Sequence, residues 1–276
     1  MPHMIQTTPH TASPRVADAP APGRPLRLLS YNIQTGISTK RYHHYLTQSW
    51  KHVLPHGERF TNLDRVAALS NDFDIVGLQE VDAGSLRSSF VNLTQYIADR
   101  AEFPFWYDQT NRRIGPLAQH AIGVLSRFRC TEIVEHKLPG PIRGRGTLAL
   151  RFGRGEQSLV IFIVHLALGR RTRLQQLSYL AELVNQHRNV VMMGDLNFHS
   201  RSREMEFLIN RTLMTEPVHG LNTFPSWRPN RNIDHILVTP TLQVNNVRVL
   251  DCPVSDHLPI CMDLSLPAGI DLYASG

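Results

Sequence analysis

The feature that most constrains the fold of this 276-residue chain is a set of short, fully apolar runs. Each run has the length of a β-strand and is followed by a polar residue. The run VVMMG leads into Asp195 and Asn197, and the run VIFIV ends at His165. A strand that lacks polar alternation is buried on both faces, as in a sheet covered by helices. Helical patterns at RTRLQQLSYLAELVNQ and SREMEFLINR alternate with these runs. The sequence therefore predicts an α/β protein.

The chain is predicted to contain one domain between two tails. Residues 1–25 are rich in Pro, Ala, Thr and Ser without periodicity, and we expect a disordered tail because such a segment buries too little apolar surface. No internal repeat or second linker interrupts the rest, so one domain is expected over residues 26–267 and a C-terminal tail over 268–276. A segment rich in aromatic residues and histidine, from about residue 37 to 61, is predicted to be a long functional loop or a short helical excursion.

The charge of the chain favours an anionic partner. A net charge of +6, from 29 Lys and Arg against 23 Asp and Glu, suits nucleic acid, phosphorylated metabolites or an anionic lipid surface. The three cysteines, Cys130, Cys252 and Cys261, show no CxxC spacing, which argues against a disulfide scaffold or a cysteine zinc site. We find neither a run of transmembrane length nor the apolar region of a secretory signal, and we expect a cytoplasmic monomer.

Polar groups that bind metal ions or move protons occur at six strand ends. Each has an ordinary explanation when taken alone, such as a turn, a helix cap or a hydrogen-bonded core histidine. Together they predict one site, because burying so many polar groups for stability alone is costly. Oxygen ligands without thiolate suit Mg²⁺ or Mn²⁺ better than zinc. The groups are Asn32, Glu80, His165, Asp195 with Asn197, Asp234 with His235, and Asp256 with His257.

The order of the sequence motifs resembles that of the endonuclease/exonuclease/phosphatase superfamily. The motifs are LLSYNIQTG, IVGLQEVD, GVLSRF, VHL, MMGDLNF, TFPSWRP with RNIDHILV, and VSDHLPI. This superfamily of metal-dependent phosphoesterases includes deoxyribonuclease-like and sphingomyelinase-like members, and the resemblance spans about residues 26–266. It implies a four-layer α/β sandwich, in which two mixed β-sheets pack face to face and are flanked by helices. It also implies hydrolysis of a phosphoester by an activated water molecule, and a phosphodiester is the first expectation.

The resemblance implies a role for each polar strand end. Asn32, Glu80 and Asp256 would hold the divalent cation, Mg²⁺ or Mn²⁺, which neutralises phosphate charge. His257, oriented by the Asp234 carboxylate, would be the general base or the electrostatic partner of the attacking water.

The remaining roles concern the water and the phosphate. Asp195 would position or deprotonate the attacking water, and the Asn197 amide would donate a hydrogen bond to a nonbridging phosphate oxygen. His165 matches the position at which deoxyribonuclease-like and sphingomyelinase-like members carry a histidine, and it would assist the leaving group or clamp phosphate. Nucleases that act at abasic sites carry an aromatic residue there, so the resemblance points away from abasic repair.

One motif departs from the family pattern. Many relatives have an asparagine where this chain has Ile122 in HAIGVLSRF. One phosphate contact is therefore either missing or supplied by Gln119 or His120.

Substrate-binding residues are predicted beside the motifs, although their explanation stays open. Arginines there suit a nucleic-acid backbone and aromatic residues suit a base, but both also serve as ordinary ion pairs and loop packing. DNA or RNA is the first expected substrate class, and a lipid or small phosphoester is the alternative, with the segment from Tyr42 to His56 as a lid or lipid contact. A non-catalytic binding protein on this fold is disfavoured, because all of the catalytic residues are present. The substrate-binding candidates are His120, Arg170, Arg171, Phe224, Trp227, Arg228 and Arg231.

Overall fold

A computed structural model describes residues 10–11, 25–36, 56–114, 117–141, 145–270 and 272. Most of the predicted tail over residues 1–25, most of the segment from Tyr42 to His56, and half of the predicted C-terminal tail lie outside the described residues. The functions expected of these segments stay predictions.

The first sheet has seven strands. They are β1 His10–Thr11, β2 Leu26–Asn32, β3 Ile75–Asp82, β4 Phe105–Ile114, β5 Ala118–Ser126, β11 Gln243–Val249 and β12 Ile260–Ser265. Their order across the sheet is β1, β4, β5, β3, β2, β12, β11. β2 and β3 are parallel, and the other neighbours are antiparallel.

The second sheet has five strands. They are β6 Glu132–Lys137, β7 Gly146–Phe152, β8 Leu159–His165, β9 Asn189–Asp195 and β10 Asp234–Val238. Their order is β10, β9, β8, β7, β6, with β8 and β9 parallel and the other pairs antiparallel. Both sheets are therefore mixed, as predicted.

Four helices of the described chain cover the outer faces of the sheets. α1 (His56–Ser70) and α2 (Leu93–Arg100) pack on the first sheet, and α3 (Arg170–Val184) and α4 (Arg203–Arg211) pack on the second. Capping side chains define two of the helix starts: Asn92 accepts hydrogen bonds from the Thr94 and Gln95 amides, and Ser202 accepts one from the Met205 amide. None of the described helices has the length and apolarity needed to cross a membrane.

Three apolar clusters hold the layers together, and β8 shows why its sequence is continuously apolar. Ile161 and Ile163 belong to the central cluster between the sheets, whereas Phe162 and Val164 belong to the cluster under α3 and α4. Successive strand residues point to opposite faces, so a strand in the middle of four layers needs apolar side chains at every position. Each such fully buried side chain contributes about 1.5–3 kcal/mol. The predicted four-layer α/β sandwich is confirmed.

Five elements were absent from the sequence prediction, namely β1, β4, β6, β11 and α2. For β6 and β11 the reason is their exposure. Both are outer strands with no fully buried residue, so they lack the continuous apolar pattern that marks the central strands. The three cysteines are free, as their spacing predicted.

The strand directions bring the polar strand ends together. β2, β3, β8 and β9 end at the same edge of the sandwich, and β10 starts there because it runs antiparallel to β9. The register places Asp234 directly opposite Asp195. β12 is antiparallel to β2, so the loop before Ile260 also reaches this edge.

We predict that Gly194→Ala strongly destabilises the fold. Gly194 has a φ of 150°, and a Cβ atom there would lie 1.9 Å from the Val164 carbonyl oxygen of the neighbouring strand. Overpacking against backbone that cannot move is expected to cost about 3 kcal/mol or more of the free energy of unfolding. Urea denaturation measures the cost, with Gly169→Ala as the control because nothing lies within 4 Å of a Cβ there. Equal stability of the two variants would contradict the prediction.

Candidate active site

The polar strand ends form one buried site between the two sheets. Asn32 and Glu80 come from the first sheet, and His165, Asp195 and Asp234 come from the second. Asp256 and His257 lie on the loop before β12. Six of the eight predicted metal and catalytic residues are buried, and Glu80 and Asn197 are half-buried. The charges here therefore interact with little screening by water.

Asp234 and His257 form the central hydrogen-bonded pair. The His257 Nδ1 atom lies 2.8 Å from the Asp234 Oδ2 atom, which also accepts a hydrogen bond from the buried Thr223 hydroxyl. The other ring nitrogen of His257, Nε2, lies 4.0 Å from the Asp195 Oδ2 atom. The predicted orientation of His257 by Asp234 is present, and the ring faces Asp195.

The loop after β9 holds Asn197 in an unusual conformation. Its φ is 57°, in the left-handed region that few residues other than glycine adopt. The backbone amide of Asn197 donates to Asp195 Oδ1 at 3.0 Å, and its side-chain amide donates to the Leu166 carbonyl at 3.0 Å. One Nδ2 proton is engaged in this bond, and the second can serve a ligand.

Asn32 joins the two sheets at the site. Its Nδ2 atom lies 3.4 Å from Glu80 Oε1 and 3.3 Å from Asp195 Oδ2, so one amide contacts a carboxylate from each sheet. The His165 Nε2 atom lies between the same two carboxylates, 3.7 Å from Glu80 and 3.4 Å from Asp195.

A backbone irregularity aims Glu80 into the site. The pairing of β3 with β5 shifts between Leu78 and Val81, and Glu80 has a φ of 55°. Such bulges re-aim side chains at the rims of sheets. The Thr35 hydroxyl donates to the Glu80 carbonyl at 3.1 Å and supports this conformation.

The crowding of carboxylates shifts several pKa values. Burial and the neighbouring Asp234 raise the pKa of Asp195 to about 7, although His257 opposes the shift. Burial also raises the pKa of Asp256 to about 6, with His257 opposing and Glu80 adding to the increase. For His257, burial favours the neutral ring, but the Asp234 carboxylate outweighs burial and raises the pKa to about 10.

The donor set fits a hard divalent cation. Glu80, Asp256 and Asn32 offer oxygen atoms and no thiolate, and the side chain of Glu80 is 35% exposed. Burial, with Glu80 adding to the effect, raises the pKa of Asp256, and a bound cation would favour its ionised form. In the described arrangement, the Asn32 carbonyl oxygen accepts a hydrogen bond from the Gln34 amide at 3.2 Å. The role of Asn32 as a ligand stays a prediction.

A second group of potential ligands is the trio Asp195, Asp234 and His257, whose ligand atoms lie within 4.8 Å of one another. These are residues for which the sequence predicted catalytic roles. Within this trio, His257 Nδ1 and Asp234 are already joined by a hydrogen bond. The metal and catalytic roles of these residues stay predictions.

Positive groups border the site beside His165. Burial lowers the pKa of His165 well below 6.5, and the charges of Arg145, His257 and His120 act in the same direction. His120 is at the end of β5 that reaches the site edge, opposite Asp82. Arg145, which directly precedes β7, was not predicted from the sequence. Ile122 is buried in the central core, so its side chain offers no phosphate contact.

Of the predicted substrate-binding residues that precede β10, Phe224 lies beside His257. The Phe224 ring lies 4.9 Å from the His257 ring, and the Arg231 guanidinium lies 5.4 Å from the Phe224 ring centre. Residues 224 and 231 pair through their backbones and close a tight loop. On this loop Trp227 is 37% exposed, and Arg228 is also exposed. The Ser226 amide ties this loop to the Asp256 carbonyl at 2.8 Å.

The arginines after β8 have mixed roles. Arg170 lies 3.8 Å from Glu204, and the buried Arg173 also pairs with Glu204, at 2.8 Å. This ion pair connects α3 to α4, which is a structural use of these arginines. Arg171 is exposed. Binding of substrate by Arg170 or Arg171 stays a prediction.

A rigid loop beside Glu80 was not foreseen from the sequence. The buried Asp82 carboxylate accepts hydrogen bonds from five donors, on Gly84, Ser85, Ser88 and Gln119. The loop holds Phe90 at a φ of 63° with 68% of its surface exposed. Only the aspartate and the serines hint at such a turn in the sequence.

The comparisons with known proteins agree with this geometry. The sequence profile described as "Endonuclease/Exonuclease/phosphatase family" matches residues 29–257, and no curated protein matches the chain significantly. Among solved structures, an endonuclease/exonuclease/phosphatase from Beutenbergia cavernae is 22% identical, with a TM-score of 0.69, and the match covers 89% of this chain and 72% of that chain. The catalytic domain of human nocturnin with bound sulfate is 15% identical, with a TM-score of 0.64 and coverage of 94% and 98%.

A third similar structure is the Bacteroides thetaiotaomicron mannosyl-6-phosphatase Bt3783. It is 17% identical, with a TM-score of 0.62, and the match covers 87% of this chain and 100% of that chain. At these identities the structures establish the fold, and the profile establishes the family.

We predict that His257 is positively charged at neutral pH and that Asp234→Asn abolishes this charge. The pKa of about 10 depends on Asp234, and burial, which the variant retains, favours the neutral ring. A raised histidine pKa stabilises the folded state fully below the unfolded value near 6.5, and this contribution is lost as the pH rises toward 10. NMR titration of the ring, and unfolding of both proteins between pH 7 and 10, check this. A wild-type ring that titrates near 6.5 would be the contrary result.

Proposed function

This chain belongs to the endonuclease/exonuclease/phosphatase family, and we propose that it is a divalent-metal-dependent phosphodiesterase whose substrate is a nucleic acid. The observation that carries the proposal is the buried group of Asp195, Asp234 and His257 beside a separate oxygen-rich set around Glu80. Hydrolysis of a phosphodiester needs one group to accept a proton from water and others to stabilise negative charge. Both kinds of group are present at one site.

Asp195 is the proposed proton acceptor. Its pKa of about 7 is suited to general base catalysis near neutral pH. His257 lies 4.0 Å from the same carboxylate and, with a pKa of about 10, carries its proton at neutral pH. Of the two roles implied for His257, the raised pKa favours the electrostatic partner over the general base. Asp234 keeps the ring in place through Nδ1.

Asn197 and His165 are the proposed phosphate contacts. The Leu166 carbonyl fixes the Asn197 side-chain amide, so its second proton has a defined direction toward a ligand at the site. His165 is held next to Glu80 and Asp195, where its ring can assist the leaving oxygen. Glu80, Asp256 and Asn32 would hold Mg²⁺ or Mn²⁺. When bound, the cation supplies charge neutralisation at the phosphate oxygens.

The wall of the site supports the choice of a nucleic acid. Phe224 contacts His257, Arg231 stacks on Phe224, and Trp227 and Arg228 are exposed on the same tight loop. Aromatic side chains that alternate with arginine suit bases and phosphates of a single strand. The net charge of +6 acts in the same direction.

A lipid or small phosphoester is the second candidate. Leu86 and Phe90, on the loop held by Asp82, are 52% and 68% exposed next to the site, which suits an apolar substrate or surface. One structural neighbour is a sugar phosphatase by its name, and another is the beta toxin of Staphylococcus aureus. A cytoplasmic location and a monomeric state stay predictions.

We predict that Asp195→Asn lowers kcat by about a hundredfold or more without loss of stability. The amide cannot accept the proton of water, and general base catalysis contributes about 10²–10⁴-fold. The free energy of unfolding is expected to stay equal or to rise, because the substitution removes one of several buried carboxylates. Hydrolysis of bis-p-nitrophenyl phosphate with Mg²⁺ or Mn²⁺, with EDTA as the control, measures kcat. Full activity of Asp195→Asn would refute the assignment of the water site.

We predict that Trp227→Ala selectively weakens cleavage of single-stranded DNA or RNA. Stacking on a base contributes about 1–3 kcal/mol, so KM for the polymer is expected to rise roughly tenfold or more relative to KM for bis-p-nitrophenyl phosphate. Leu213→Ala is the matched control, because Leu213 is 75% exposed and was not assigned to the site. The panel also contains duplex DNA, sphingomyelin and other phospholipids. Cleavage confined to lipids or small esters favours the second candidate.

A further inference from the structure

A second polar cluster is buried on the other face of β10, centred on Glu216 and His235. His235 directly follows Asp234, and successive strand residues point to opposite faces. The sequence placed His235 among the polar strand ends without giving it a role. Its side chain is 1% exposed and that of Glu216 is 5% exposed. Neither residue lies among the groups that face the proposed phosphate.

Glu216 accepts three hydrogen bonds, which is the pattern of an ionised carboxylate. His235 Nδ1 lies 2.6 Å from its Oε1 atom, the Ser200 hydroxyl lies 2.8 Å from the same atom, and His219 Nδ1 lies 2.5 Å from Oε2. The Ser200 hydroxyl oxygen accepts a hydrogen bond from the Gly220 amide, and the Ser200 hydroxyl proton is donated to Glu216. Burial acts to raise the pKa of Glu216, but the hydrogen bonds from His235 and its neighbours lower it.

The second ring nitrogen of His235 fixes the protonation of the ring. Nε2 lies 2.7 Å from the backbone carbonyl oxygen of Phe198, which only accepts hydrogen bonds. Nδ1 faces the ionised Glu216 carboxylate, which also only accepts. Both ring nitrogens must therefore donate, and only the positively charged ring has two N–H groups.

We propose that His235 is a positively charged positioning residue that fixes Asn197 at the site through the Phe198 carbonyl. Phe198 directly follows Asn197, whose left-handed φ of 57° needs support from its surroundings. Asp195 and Leu166 hold Asn197 directly, and the bond from His235 holds the carbonyl group of the next residue, Phe198. The Phe198 and His235 rings also stack, with centroids 5.6 Å apart. The effect on turnover rests on the proposed function.

Two variants of His235 separate positioning from simple structural support. Asparagine places an amide N–H near the position of Nδ1, and glutamine places one near Nε2. His235→Gln can therefore keep the bond to Phe198, whereas His235→Asn can keep only the bond to Glu216. We expect His235→Asn to lower kcat about tenfold or more with little change in KM, because the Asn197 contact forms with the transition state. His235→Gln is expected to recover most of that loss. Equal kcat values in the two variants would overturn the positioning role.

Two NMR measurements need no substrate, so failure of the proposed function is distinguishable from failure of this inference. Long-range ¹H–¹⁵N spectra of the wild type at pH 7 are expected to show both His235 nitrogens protonated, and one unprotonated nitrogen would overturn the charge. Hydrogen exchange of the Asn197 amide is expected to be faster in His235→Asn than in His235→Gln, and the same rate in both would overturn the positioning role.

Glu216→Gln provides the remaining control if neither His235 variant folds. The glutamine amide can donate to Nδ1, so the ring is expected to become neutral while Nε2 still donates to Phe198. A ring that stays doubly protonated in this variant would contradict the pairing with Glu216. A neutral ring together with an unchanged Asn197 exchange rate would support both parts of the inference.

Discussion

Mutual repulsion among buried carboxylates is the constraint around which the active site is arranged. Asp195, Asp234 and Asp256 are nearly fully buried, and Glu80 adds a fourth charge at the opening. Removing such charges from water is costly unless partners compensate for them. His257 brings a positive charge to Asp234 and Asp195, and the Asn32 amide bridges Asp195 and Glu80. Burial and the neighbouring Asp234 give Asp195 a pKa near neutrality, and a divalent cation would relieve the repulsion among these carboxylates.

The sequence predicted those parts of the fold that depend on burial of whole strands. Runs such as VVMMG and VIFIV signal central strands because both of their faces contact apolar layers, and their last residues necessarily meet at one edge. β6 and β11 gave no such signal, since outer strands are defined by pairing with a distant partner. The bulge at Glu80 and the position of Arg145 beside His165 likewise depend on register between strands. No local pattern of residues specifies that register.

The loops at the edge of the sandwich differ in character from the strands that carry the polar residues of the candidate site. The loop between residues 224 and 231 is fastened to the Asp256 backbone, and the loop after Asp82 is fastened to a single carboxylate. Both are therefore presented rigidly, one with aromatic and basic residues and the other with apolar residues. Structures with the same fold include the Bacteroides thetaiotaomicron mannosyl-6-phosphatase and the catalytic domain of human nocturnin, and a fold by itself does not fix the substrate.

The alternation of Asp234 and His235 on β10 also bears on how this protein can change during evolution. The two neighbours serve opposite faces of one sheet, so a single inserted or deleted residue in β10 would place the imidazole at the opening and the carboxylate behind it. Both faces would fail together. A point substitution in β10 changes one face of the sheet and can be selected by itself. An insertion or deletion in β10 changes both faces at once. Length variation among descendants of this chain is therefore expected in the connections between strands, and the spacing from Asp234 to Val238 is expected to stay fixed.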